Sequence, residues 1–300
     1  SNNFNETISK IAIAGGLIGH NLLKSTSPEL SIGGSFKKCL KKENNDIFLY
    51  KIGNEGYFGC QDEPFSEVMA SEIAGIICRR AVKYTLAEIH GKIASKCKIF
   101  TNEKYGLVSA TDLFGTKLDY QTLITGIEDL GNKEIIDDFY DMLVTDAIVF
   151  NQDRHANNFG FIYDNDTHEI LSLAPVFDFN LALFGFKTAE QLNEIGKIIN
   201  ETSPNEMFGT DFLIMGKNHL TQDNIEKVKR LAKFSIKLNS KGTFNDNKRK
   251  ILQTIIRMQA AGLLARDTKC QTDIFTEDLT WKTIAAKYDN KTNFFSGSNK

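Results

Sequence analysis

The sequence predicts a two-lobed α+β fold, with a small strand-rich lobe over residues 1–113 and a mostly helical lobe over residues 114–300. Three observations predict it. Short apolar runs broken by Gly, Ser, Asn and Pro fill the first sixty or so residues. A strongly periodic helix and two further strand-like runs follow before Asp112. Beyond Asp112 the apolar spacing is helical almost throughout, interrupted by one hairpin.

Taken in order, Ile11 to Ile13, Leu30 to Ile32 and Ile47 to Ile52 read as strands. From Ser66 to Val82 the pattern becomes helical, since Val68, Met69, Ile73, Ile76 and Ile77 share one side of a 3.6-residue wheel. Ile89 to Ile99, with an interruption, and Tyr105 to Ala110 return to strand character. The second of these runs into Thr111 and Asp112, which sets the lobe boundary near 112 to 116. Tyr120 to Gly126 and Glu134 to Phe150 read as helices, the longer one apolar at Ile135, Phe139, Met142, Leu143, Ala147 and Phe150. Phe159 to Tyr163 and Glu169 to Leu173 form a strand pair around Asp164-Asn165-Asp166-Thr167, residues suited to a turn. Ile225 to Leu238 and Lys248 to Leu264 are the clearest later helices, and Asn290 to Lys300 is a polar tail.

Composition narrows the function classes. The chain is 41% hydrophobic and 25% charged, the balance of a soluble globular protein. With 36 basic against 38 acidic residues the net charge is -2, so no overall positive field favours nucleic acid or an anionic membrane. Any phosphate site must be local. The cysteines (Cys39, Cys60, Cys78, Cys97, Cys270) are scattered and lack C-x-x-C spacing, which predicts free thiols in a reducing compartment. The apolar stretch Ile11 to Leu23 is broken by Gly15, Gly16, Gly19, His20 and Asn21, so it reads as neither a signal peptide nor a membrane anchor. Synthesis in the cytoplasm is the expectation.

The chemistry concentrates between Asn151 and Asp178. The string NQDRHANNFG follows an amphipathic helix and precedes a strand, so its polar residues occupy a loop held between two buried elements. Asp153 and Asn158 have the D-x-x-x-x-N spacing in which a carboxylate meets the attacking hydroxyl and an amide oxygen ligates a metal. Twenty residues after Asn158 comes Asp178, in VFDFN, and the intervening hairpin can return it to Asn158. Hard oxygen ligands of this kind suit magnesium, which keeps several waters and needs few protein ligands. The spacing alone fits helix capping and turn chemistry equally well. The helix before it, the hairpin after it and the aspartate beyond favour phosphoryl transfer. His155 reads as a brace for the loop, and Arg154 as the partner of a carboxylate or a phosphate, or as a surface charge.

NQDRHANNFGFIYD followed by APVFDFN resembles the N-x-D-x-H-x-x-N motif and downstream aspartate of the HipA-like serine/threonine kinases. The resemblance is specific over about residues 145–180 and elsewhere lies in the order of elements. It implies a bilobed protein-kinase-like fold, use of ATP and magnesium, and transfer to Ser or Thr of proteins. Asp153 then matches the catalytic aspartate, Asn158 the metal-binding asparagine and Asp178 the metal-binding aspartate. Asn180 stands where many kinases have glycine after Asp-Phe, which should stiffen the backbone there.

In the smaller lobe, LSIGGSFKKCL resembles the family's phosphate loop. Ser31, Gly33, Gly34 and Ser35 allow close approach of backbone N–H groups to phosphate, and Lys38 stands near the loop's end. Ser31 aligns with a serine that some members autophosphorylate. Taken alone, a Gly-Gly turn is equally a hairpin. Lys51 is the candidate strand lysine for the α- and β-phosphates. Its partner on the following helix is Glu67 by the family's spacing or Glu72 by the helical wheel, and the wheel is followed here. Hinge backbone for adenine is expected from Tyr105 to Ala110 and on through Asp112 to Phe114. Longer members carry a preceding domain that engages a DNA-binding antitoxin, and the phosphate loop here begins about thirty residues into the chain. An antitoxin partner is therefore not expected, whereas protein substrates are, host proteins among them, since the family includes secreted members. Two other readings fit the same motif: a small-molecule phosphotransferase, and a kinase-like protein that acts by binding alone.

Overall fold

The computed structural model describes residues 9–10, 12–13, 37–53, 62–237, 244–266 and 269–288. Alternation along Phe48-Leu49-Tyr50-Lys51-Ile52 sends successive side chains to opposite faces of a sheet and so sorts this strand. Tyr50 and Ile52 join Ile13, Cys39, Ile89 and Ala94 in one apolar cluster, with Phe48 packed against it. Leu49 faces the other way, toward Val68, Val82, Tyr84 and Cys97. Lys51 shares that second face, and this places its amine under the helix that follows.

The sheet is antiparallel, in the order β1 (Lys38–Glu43), β2 (Asp46–Ile52), β4 (Lys92–Lys98) and β3 (Tyr84–Ile89). Lys51 lies opposite Lys38 on β1 and Ser95 on β4. Helix α1 (Glu63–Ile77) starts with a proline in its first turn, where the missing N–H costs nothing, and buries Phe65, Glu67, Met69, Ala70, Ile73, Ala74 and Ile77. It is buried on more than one side because it packs on the sheet and on the helical lobe together.

A second sheet runs β5 (Tyr105–Ser109), β6 (Gly160–Asp164) and β7 (Ile170–Leu173). Between β5 and β6 lie α2 (Ala110–Phe114), α3 (Tyr120–Asp129) and α4 (Lys133–Val149), each opened by a side-chain cap from Ser109, Asp119 and Asn132. The helical lobe is completed by α5 (Ile195–Asn200), α6 (Phe212–Asn218), α7 (Gln222–Leu231), α8 (Asp246–Leu264), α9 (Gln271–Ile274) and α10 (Trp281–Tyr288). Its core gathers Phe139, Met142, Leu143, Phe150, Phe212, Leu252, Ile255 and Ile256. No helix among the described residues is long and apolar enough to cross a membrane.

Three sequence expectations change. Ala12 and Ile13, expected in a strand, are helical, and Ile13 covers the face of the first sheet that α1 leaves open. The helix expected over 225–238 runs Gln222–Leu231, because Thr221 and Asn224 form a reciprocal cap that fixes its start. The strand Tyr105–Ser109 pairs with β6 and not with the first sheet, so the crossing between the two sheets is the segment from Ile99 to Lys104. Leu30 to Ile32 and the tail from Asn290 fall outside the described residues.

Candidate functional site

Lys51 is the centre of the site. The residue is 7% exposed, and its amine donates to Glu67 Oε1 on α1 at 2.6 Å and to Asp178 Oδ1 at 2.7 Å. Burial alone would pull this amine down, but the charges and hydrogen bonds of Glu67 and Asp178 override it and raise the pKa above the ordinary lysine value. Burial likewise pushes the Asp178 carboxyl up, and the charge and hydrogen bond of Lys51 overcome that push and hold it below its ordinary value. Both groups are therefore charged at neutral pH. The Ser95 hydroxyl donates to the second Glu67 oxygen, so both oxygens of that buried carboxylate are satisfied. The Tyr84 hydroxyl accepts from the Asp178 N–H at 3.4 Å. Lys38 stands beside the cluster, its pKa lowered by burial and by the charge of Lys51.

The loop that carries Asp153 begins with a sharp stop. Phe150 ends α4 in the left-handed region at φ 51, fully buried against the rings of Phe184 and Phe212, both with centroids 5.4 Å away. The turn aims the next residues out of the helical core. Arg154 then fixes the loop from inside, at 1% exposure. Its guanidinium donates to both oxygens of Asp146 on α4, at 2.7 and 3.1 Å, to the carbonyl of Asn158 at 2.5 Å and to that of Phe177 at 2.7 Å. One side chain thus joins the end of α4, the loop and the residue before Asp178. Asn151 adds a bond from its amide nitrogen to Asp146 at 2.9 Å.

Asp153 stays partly open, with 34% of its side chain exposed. Burial raises its carboxyl above the ordinary value, the charge of His155 draws it back, and the Asp178 charge adds to the rise. Asn158 spends its amide nitrogen on Asp153, 2.7 Å from the carbonyl and 3.2 Å from Oδ2, which turns its amide oxygen away as the group left to accept. His155 braces the loop: its Nδ1 accepts from the Asn157 N–H at 3.2 Å. Asp178 itself adopts the left-handed conformation, φ 62, so the unusual backbone falls on the aspartate and not on Asn180. Asn180 is 6% exposed, and its amide oxygen has no partner among the described residues.

The structure thus brings together Lys38, Lys51, Asp153, Asn158 and Asp178. It does not bring Glu72. That residue lines a cavity of about 640 Å3 with Val68, Ile76, Tyr84 and Leu86, while the Lys51 amine is taken by Glu67 and Asp178. The wheel misleads because α1 is buried against two lobes, so nearness to the apolar stripe does not identify the cleft. Asp112 also departs from expectation: it is exposed, and its N–H and carboxylate both bond the Ser109 hydroxyl in the cap of α2, past the crossing segment. Ser31, Gly33, Gly34 and Ser35 lie outside the described residues. Sequence reasoning missed Ser95, Tyr84 and Asp146. Only Asp146 left a signal, a carboxylate on the apolar side of a helix eight residues before an arginine.

Among the described residues no group of three His, Cys, Asp or Glu could hold a metal ion. The donor set here is one ionised carboxylate, Asp178, with the amide oxygen of Asn158. That set fits a hard cation that keeps most of its waters, and not a zinc or calcium cage.

A strand lysine clamped by a helix glutamate, an Asp-x-x-x-x-Asn loop and a second aspartate, set between a small sheet and a helical lobe, define a protein-kinase-like fold. The particular family follows from comparison with known proteins. The HipA-like C-terminal domain matches residues 30–260, and the chain belongs to that family. The serine/threonine-protein kinase CtkA of Helicobacter pylori strain J99 is 30% identical over 175 residues, which cover 53% of this chain and 54% of that protein. The chain thus aligns with about half the length of that curated relative. The crystal structure of the H. pylori proinflammatory kinase CtkA superposes with a TM-score of 0.55 at 19% identity, covering 75% of this chain and 90% of the other. The HipA of Shewanella oneidensis MR-1, solved with HipB and operator DNA, is a looser likeness, with a TM-score of 0.46, 11% identity, and 80% and 66% of the two chains covered.

Proposed function

We propose that this chain is an ATP- and magnesium-dependent protein kinase that phosphorylates Ser or Thr, with Asp153 at the incoming hydroxyl. The observation that carries the reading is the Lys51 clamp on Glu67 and Asp178 beside a loop locked by Arg154. Such a clamp presents a fixed positive charge to phosphate oxygens. Asn158 and Asp178 would hold the metal, which neutralises charge on the transferring phosphoryl group when bound. Asp153, held by Asn158 and open to solvent, orients the substrate hydroxyl and accepts its proton as the new O–P bond forms. Lys38 adds a second positive charge on the same face of the sheet. Autophosphorylation at Ser31, protein substrates and action on host proteins belong to the same proposal and rest on the family resemblance.

The test is phosphate transfer from labelled ATP to a protein acceptor and to the chain itself. Asp153→Asn should lower turnover about a hundredfold to ten-thousandfold while ATP still binds. Asp178→Asn should remove the magnesium dependence of ATP binding. Full transfer by Asp153→Asn would overturn the assignment, and transfer to sugars or aminoglycosides but not to proteins would favour a small-molecule phosphotransferase.

A further inference from the structure

The first turn of α8 carries a second buried lysine. Lys248 has no side-chain exposure, and its amine donates to Asp62 Oδ2 at 3.0 Å, to the Gly185 carbonyl at 3.2 Å and to the Lys187 carbonyl at 2.6 Å. Asp62 is the residue before α1, the position at which an aspartate ordinarily caps the helix through its side chain. Here it makes no such bond and gives its carboxylate to Lys248 instead. The segment from Ala182 to Lys187 lies hard against the start of α1. A methyl group on Gly185 would sit 2.5 Å from Ser66 Oγ and 3.2 Å from Glu63 Cα. Phe244, just before α8, adds a ring contact to Phe65 of α1 at 4.9 Å.

The two lysines therefore span the same two stretches of chain. Lys51, from the first sheet, joins Glu67 on α1 to Asp178. Lys248, from the helical lobe, joins Asp62 at the head of α1 to the backbone seven and nine residues beyond Asp178. A charge buried this deeply is weak evidence for stability, because desolvation offsets much of the attraction. It is strong in geometry, since three oxygens from two segments must converge on one amine. We propose that Lys248 is a positioning residue, a staple that holds α1 and the segment 178–187 in the alignment that lets Lys51 span Glu67 and Asp178. This inference rests on the kinase reading for its effect on turnover, but not for its effect on structure.

The test uses the full chain with Lys248→Met, Asp62→Asn and the double variant, followed by hydrogen exchange and by steady-state phosphate transfer. Amides of residues 63–69 and 182–187 should exchange faster in both single variants, while those of 139–148 in α4 stay protected. Turnover should fall about tenfold to a hundredfold, because a small misplacement of the clamp is costly. KM for ATP should change much less, and the double variant should be no worse than the poorer single one. Unchanged exchange at the start of α1, or losses that add in the double variant, would overturn the proposal. If Lys248→Met does not fold, Asp62→Asn carries the same comparison, because it removes the bridge at a partly exposed position. A wild-type chain without phosphate transfer would sink the kinase reading, and the exchange measurements would still decide the staple.

Discussion

Arg154 shows how much of the site depends on a residue that meets no substrate. Its four hydrogen bonds reach a carboxylate and two carbonyls, so removing the guanidinium leaves the buried Asp146 side chain without its cation. Arg154→Met should cost about 3–5 kcal/mol of folding stability, measured by urea unfolding, and Arg154→Lys should recover only part, since an ammonium cannot reproduce the planar fork. Asp153 makes a separate prediction. Burial raises its carboxyl, and the proposed proton-accepting role needs it ionised, so the acidic limb of the kcat/KM profile should lie above the ordinary aspartate value of about 4. Removing the neighbouring charge with His155→Gln should move that limb further up. A limb at or below the ordinary value would take Asp153 out of the proton-accepting role. The thiol of Cys97, on the sheet face shared with Leu49, is pushed up to about 12 by burial and by the Glu67 charge, so it should resist alkylation at neutral pH in the folded state.

At the scale of elements, the hairpin after the loop turns on one glycine. A Cβ on Gly160 would meet the Val108 carbonyl at 2.2 Å, because β5 and β6 pair there through Ser109 and Gly160. Gly160→Ala should cost about 1–3 kcal/mol, and more if the strands cannot part, with the loss seen in thermal unfolding and in the placement of Asp178. The helices and this hairpin were legible in the sequence because their periods of 3.6 and 2 are local properties. Asp153, Asn158 and Asp178 were legible for a related reason: loop chemistry written within thirty residues needs only one hairpin to close it. Glu67 was not, since its selection over Glu72 depends on where α1 lies between two lobes. The helical character of Ala12 and Ile13 escaped for the same cause, because so short an apolar run suits either period and the sheet face that Ile13 covers is built by residues far along the chain. Strand β5 read correctly as a strand, but its pairing with β6 was not legible, because sequence shows that a strand exists and not which sheet it joins.

Over the whole molecule, the Lys51 clamp links the two lobes and gives stability a defined pH range. A carboxyl held below its unfolded value, as Asp178 is, contributes fully above about pH 4 and loses that contribution as the pH falls through its lowered folded value. A lysine raised above its unfolded value, as Lys51 is, contributes fully below about pH 10 and loses it as the pH rises through the raised value. The clamp therefore works across the neutral range. The stability difference between the wild type and Lys51→Met, from urea midpoints, should shrink as the pH is taken from about 5 toward 2; a constant difference would mean that the ion pair contributes nothing. The crossing from Ile99 to Lys104 has one more consequence. Among the described residues the chain passes between the two sheets only there, with residues 102–104 exposed. A cut at that turn would sort the proposed catalytic groups into two polypeptides, Lys51 and Glu67 on one and Asp153, Asn158 and Asp178 on the other. Activity regained on mixing the two pieces would then count reassembled molecules one by one, making this turn a natural seam for a split reporter.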